Sequence, residues 1–199
     1  MREIHAPLCS RCGRPFTASG SNHLCKDCLI GERPFLRARA YGMYEGTLLE
    51  AIHLFKYSGN TAVGSILGRI MARKVYDSFD YNDFDVIMPV PLHIKKLRAR
   101  GFNQALVLAR VLARKKGIPL DWKTMKRSVD TSPQVGLGQS ERSRNVRGAF
   151  AVDDAGRLQG TRVLLIDDVY TTGNTVSACA DLLMESGASS VSVLTLARA

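Results

Sequence analysis

A chain of 199 residues with ordinary apolar (45%) and charged (23%) fractions can bury one substantial core plus a small appendage. Its formal charge of +10 favours phosphate-bearing partners, either a polyphosphate metabolite or nucleic acid, although a solvated basic face would carry the same charge. No apolar run approaches the ~20 residues that cross a bilayer, and the amino terminus MREIHAPLCSRCGRP lacks the apolar segment of a secretory signal, so a cytoplasmic protein with no membrane span is expected.

The first recognisable feature is a pair of Cys-x2-Cys motifs, Cys9/Cys12 and Cys25/Cys28, separated by twelve residues. Gly13 lets the chain double back after the first pair. Four thiolates can surround Zn²⁺ tetrahedrally and leave no position for water, which makes a structural site. Disulfides are the competing use of the same cysteines, disfavoured in a reducing compartment. Metal binding would supply folding energy that about thirty residues with almost no apolar core lack. The expected division is therefore a zinc-ribbon-like knuckle over residues 1–32 and a main domain over 33–199.

Gly31 to Tyr44 is basic and reads as an extended link. Leu48, Leu49, Ile52 and Phe55 recur at helical spacing, and Ser58-Gly59-Asn60 ends that helix, with Lys56 in its last turn where the dipole favours a cation. Val63, Ile66, Leu67, Ile70, Met71 and Val75 mark a second helix. Val86–Val90 then reads as a buried strand leading into PLHIKKLRARGFNQA, a basic loop running into a helix with Ala105, Leu108, Ala109 and Leu112 on one face. From Val86 to Leu120 there are eight basic residues and no acid. Further strands are expected at Leu120–Thr124, Gly148–Val152, Val163–Ile166 and Val191–Leu196, and their alternation with helices gives an α/β fold. Thr131 to Arg147, between two of these strands, is polar and carries Gly and Ser. Cys179 sits on the apolar face of the last helix and reads as packing, and Gly187 ends that helix.

The chain is organised around Val163 to Thr175, VLLIDDVYTTGNT. A short buried strand is expected to stop at Asp167 and Asp168, followed by a tight Thr171-Thr172-Gly173-Asn174-Thr175 turn and a helix. Helix N–H groups and hydroxyls at such a corner suit a phosphate dianion, and the carboxylates can accept from sugar hydroxyls, so a ribose bearing a phosphate is the expected ligand. Loops leaving neighbouring strands of an α/β sheet enclose the ligand together, so the loop after Val86–Val90 can face the Thr171–Thr175 loop.

This stretch resembles the phosphoribosyl-pyrophosphate (PRPP) signature of type I phosphoribosyltransferases. The resemblance implies that Asp167 and Asp168 hold the ribose 2′- and 3′-hydroxyls, and that Thr171, Thr172, Gly173, Asn174 and Thr175 cradle the 5′-phosphate. PVPLH followed by LRARGFNQA, Thr131-Ser132-Pro133-Gln134, the Cys₄ knuckle and YEGTLLEAIHLFKYSG resemble the ComF family, a branch of that group linked to natural competence. The fold so implied is a five-stranded parallel sheet flanked by helices, with a hood. A mobile loop is implied too, where Gln134, Arg142, Arg144 and Asn145 would touch phosphates or a second substrate.

Two functions follow. As a transferase, the protein would use Mg²⁺ with PRPP, with Lys95, Lys96, Arg98 and Arg100 around the pyrophosphate. As a binding module, it would hold PRPP or another phosphoribosyl ligand without turnover, and its basic face would engage single-stranded DNA. The ComF resemblance implies work beside a DNA-uptake helicase and a recombination-loading protein. Between Val86 and Leu120, however, Phe102 is the only Phe, Tyr or Trp to interleave with the cations of a single-strand groove.

Overall fold

Val163, Leu164, Leu165 and Ile166 are all fully buried, as a strand covered on both faces requires. The computed structural model describes residues 1–57, 59–77, 79–129 and 148–199. These four residues belong to β5 (Arg162–Tyr170), which runs between β6 (Ser190–Arg198) and β2 (Val86–Pro89); β1 (Arg37–Met43) closes the far side of β6. All three pairings are parallel.

Alternate residues of β5 feed two cores. Leu164 and Ile166 pack with α2 (Gly46–Tyr57), α3 (Thr61–Arg73) and α5 (Gln104–Lys116) through Ile52, Phe55, Met71 and Leu108. Val163 and Leu165 face α6 (Asn174–Glu185), the two-stranded antiparallel ribbon β3 (Met125–Arg127) and β4 (Phe150–Val152), and the cysteine knuckle with its short α1 (Lys26–Ile30). The knuckle is part of the main core, since its four cysteines cluster with Phe35, Ala38 and Val193. Among the described residues, no helix is long and apolar enough to cross a membrane.

Three elements depart from the sequence reading. The basic link is strand β1, which buries Arg39 because its guanidinium donates to the carbonyls of Asp77, Ser10 and Ala38 at 2.9–3.2 Å. The strand expected at Leu120–Thr124 shrinks to one parallel bridge, Leu120 to Ile87. Just beyond it, Asp121 Oδ1 accepts from the N–H groups of Lys123 and Thr124 (3.0 and 3.1 Å), turning the chain off the sheet before β3 begins. The basic stretch after β2 is helical rather than a loop: His93 caps α4 (Ile94–Arg100), which carries Lys95, Lys96, Arg98 and Arg100. Gln134, Arg142, Arg144 and Asn145 lie outside the described residues.

GFNQA forms a joint. Gly101 ends α4 in the left-handed region at φ +79°, and Phe102 packs 5.4 Å from Phe55. Asn103 caps α5 by accepting from the Ala105 and Leu106 N–H groups, and its own amide donates to Val90 O at 3.0 Å. One side chain thereby ties the start of α5 to the exit of β2.

Helix α3 meets α2 and α5 through Gly64 and Gly68. A Cβ on Gly64 would collide with the Phe55 ring and come within 2.9 Å of Val107 Cγ1, and Phe55 is fully buried. Alanine gains about 1 kcal/mol of helix propensity over glycine, whereas overpacking costs about 1–3 kcal/mol. Gly64→Ala is therefore expected to lower stability by about 1–2 kcal/mol in urea unfolding; an unchanged or higher midpoint would show that Phe55 can move aside.

Candidate functional site

Strand β5 does not stop at the acids. It continues through Asp167, Asp168 and Val169 to Tyr170, because Asp167, Val169 and Tyr170 pair in register with Thr195, Ala197 and Arg198 of β6. The two carboxylates are thus held by a strand on opposite faces of the sheet, where the turn expected from the sequence would have left them free to rotate.

Asp168 points to the α2 side, and Lys56 in the last turn of α2 meets it: Nζ to Oδ2 is 2.7 Å, with the side chains only 16% and 13% exposed. Asp167 is half-buried and accepts the Asp168 N–H at 2.9 Å. Burial, followed by the neighbouring charge of Asp168, pushes its carboxyl up to about 7, against the pull of that N–H, Lys56 and Arg127. Sequence reasoning assigned Lys56 to the helix dipole; its partner is Asp168. The signal available was a lysine in a last helical turn directly before a glycine-containing break. Arg127, on β3, was not singled out at all, and only the tertiary structure brings it into the field of Asp167.

Thr171 and Thr172 are exposed, and Thr172 Oγ1 accepts the Asn174 N–H at 3.4 Å. Gly173 precedes α6 at φ +81°, in the left-handed region, and a Cβ there would run into the Tyr170 hydroxyl. Having no side chain, Gly173 cannot cap the helix, so the first turn of α6 turns its N–H groups outward at the sheet end. The Ser177 hydroxyl in that same turn has no hydrogen-bond partner among the described residues. Backbone donors, a positive helix end and the exposed Thr171 and Thr172 thus lie together at this corner.

Arg100 of α4 lies 5.5 Å over the Tyr57 ring, beside Lys56, which brings the end of the basic helix to the same side of the sheet as the Lys56–Asp168 pair. Asn103 anchors the neighbouring helix start to Val90.

The four cysteines offer sulfur atoms that all lie within 4.8 Å of one another, and all four residues are buried. Cys12 Sγ and Cys25 Sγ are 3.7 Å apart, close to the edge of roughly 3.8 Å that a tetrahedron of 2.3 Å metal–sulfur bonds requires. Cys9 Sγ accepts the N–H groups of Cys12 and Cys25, each at 3.4 Å. Burial would raise the Cys9 thiol, but these amides bring it down to about 6; burial dominates at Cys28 and pushes it well up. This donor set fits a metal ion and could hold one. His23 stacks on Phe16 at 4.0 Å and is not part of the cluster. Cys179 is fully buried in the core, as packing.

The knuckle also touches the loop. Arg198, at the end of β6, donates to Cys12 O at 2.7 Å, and its guanidinium carbon lies 4.4 Å from the Tyr170 ring centroid.

A parallel sheet that delivers an acid pair, a Thr/Gly turn and an open helix end to one edge is the ground plan of a phosphoribosyl transferase. The family model of the phosphoribosyl transferase domain matches residues 97–199. Among curated proteins, the chain is 34% identical to the DNA utilization protein YhgH of Escherichia coli over 96% of this chain and 84% of that one. It is 31% identical to Competence protein F of Haemophilus influenzae (97% and 85%) and 28% identical to Competence protein ComFC of Bacillus subtilis (100% and 80%). The chain therefore belongs to the phosphoribosyl transferase domain family, in its ComF branch.

The raised Asp167 carboxyl has a stability consequence. In the folded protein it ionises near 7, in the unfolded chain near the ordinary 3.8, so the folded state loses stability through this group as pH rises between those values. Asp167→Asn removes the loss. Its melting temperature is expected to exceed the parent's by roughly 5–10 °C at pH 8, with a smaller gap at pH 5. A gap that is constant or widens towards pH 5 in circular-dichroism melts would contradict the raised value.

Proposed function

We propose that this protein carries a pocket for PRPP or another phosphoribosyl ligand and works in the cytoplasm in the uptake and handling of single-stranded DNA. The observation that carries the pocket is the convergence of Asp167, Asp168 and the open start of α6 at one sheet edge. The handling of DNA is drawn from relatives named for DNA utilization and competence.

In this reading the ribose hydroxyls donate to Asp167 and Asp168. Lys56 holds Asp168 charged and oriented for them. The Thr171, Thr172, Gly173, Asn174 and Thr175 segment wraps the 5′-phosphate, and Lys95, Lys96, Arg98 and Arg100 on α4 attract the pyrophosphate. Mg²⁺ seeks oxygen ligands, suits this carboxylate pair and, when bound with PRPP, would neutralise charge on the pyrophosphate. The sulfur set and its spacing suit Zn²⁺ as a structural ion for residues 1–32, with residues 33–199 forming the ligand-binding domain. A DNA-uptake helicase and a recombination-loading protein are the partners proposed.

Turnover is the second reading, favoured by the Lys56–Asp168 pair and raised Asp167, which provide a charged and a protonatable carboxylate side by side. Loss of pyrophosphate would develop positive charge at ribose C1′, and an ionised carboxylate nearby would stabilise it.

Isothermal titration is expected to show Mg²⁺-dependent PRPP binding that the Asp167→Asn/Asp168→Asn double variant abolishes and Lys56→Ala weakens about tenfold or more. Binding indifferent to the double variant would overturn the pocket. Pyrophosphate release across a panel of nucleobases and amines tests turnover. Metal analysis of folded protein purified without added zinc is expected to give a molar ratio near one, and a ratio near zero would refute the zinc site.

A further inference from the structure

A groove of about 910 Å³ lies outside the acid pair and the phosphate loop, between α4, α5 and the β3–β4 ribbon. Its apolar lining includes Leu92, Ile94, Leu97, Leu106 and Trp122. Trp122 is the only tryptophan in the chain and is 47% exposed. Five cations line the groove against two carboxylates. Those two acids are already engaged, Asp153 with Lys126 and Asp154 with Arg157. Among the described residues, no carboxylate pairs with Arg110 or Lys123, and Lys123 Nζ lies 5.4 Å from the Trp122 ring centroid. Arg127 lines the inner side of the groove and reaches the field of Asp167, so the groove opens beside the phosphoribosyl site.

We infer that this groove seats single-stranded nucleic acid, with Trp122 as the platform on which a base stacks and Arg110 and Lys123 as phosphate contacts. An apolar floor with an exposed aromatic and a cationic rim matches a ligand that alternates flat apolar faces with anions. Duplex DNA hides its base faces in the stack, and an apolar peptide gives the rim cations nothing to neutralise. Linear sequence obscured the platform, because Trp122 lies two residues beyond the basic stretch and far from α4 along the chain; folding brings it into one groove with Ile94 and Leu97. The inference rests on the DNA-handling reading and gives it a location.

The lone tryptophan makes the test direct. Unmodified oligo(dT) of about twelve nucleotides is titrated into the full chain while Trp122 emission is followed, and a labelled copy is followed by anisotropy. Both signals are expected to move with one midpoint. Trp122→Ala is expected to weaken binding about tenfold, with Trp122→Phe retaining most of the affinity. Arg110→Ala and Lys123→Ala should each reduce the slope of log affinity against log salt by about one. If anisotropy reports binding while Trp122 emission stays still and Trp122→Ala binds like the parent, the groove assignment is wrong and the DNA-handling reading stands. If labelled oligo(dT) shows no binding even at low salt, that reading fails and takes the groove with it.

Discussion

Two carboxylates on adjacent residues of a strand, at the edge of a buried sheet, repel one another and resist ionisation; the site depends on how that tension is settled. Lys56 settles it on one side by pairing with Asp168 at 2.7 Å. On the other, Asp167 keeps its proton up to about 7. The solution requires the last turn of α2 to arrive at the end of β5, and that in turn requires α2 and α3 to pack tightly. Gly64 and Gly68 permit the approach, and buried Phe55 and Leu67 fill it. Packing on one face of the sheet thus sets the charge state at its edge.

The opposite face is organised around the knuckle. It is built into the core beside α6, and buried arginines fasten it there. Arg39 of β1 donates to Ser10 O, and Arg198 of β6 donates to Cys12 O. Gly13 lies so close to Ala38 that any Cβ would strike the carbonyl oxygen. The same Arg198 covers Tyr170, whose hydroxyl supports Gly173 from below. The cysteine cluster and the phosphate loop therefore share a wall, and an ion that fixed the four sulfurs would also fix the surface against which Gly173 turns.

Basic residues sort by environment. Arg39 and Arg198 are buried and donate to backbone carbonyl groups, which offsets the cost of placing cations in the core. Lys56 neutralises a carboxylate. Lys95, Arg98, Arg110 and Lys123 are exposed around the groove and the basic helix. The +10 charge of the chain is therefore divided between buried cations that bind carbonyl groups and exposed ones, a division that composition does not reveal.

Local signals in the sequence were sufficient for the α/β class, the cysteine cluster, the helices around Ile52 and Leu108, and the strand–turn–helix order from Val163 onward. Each rests on periodicity, spacing or a turn residue, all of which act within a few neighbours along the chain. Strand β1 was hidden because its alternate arginines look solvated until Ser10 and Asp77 supply Arg39 with carbonyl partners from elsewhere. The strand expected at Leu120–Thr124 was lost to the turn at Asp121, whose side chain outcompetes the sheet for the next two amides. The Lys56–Asp168 pair and the alignment of Trp122 with α4 join residues far apart in sequence, and only the folded chain brings them within range. Sequence by itself determined the order of the elements and the spacing of the acids, threonines and cysteines; the tertiary structure decided their charge and company, because burial and long-range contacts govern both.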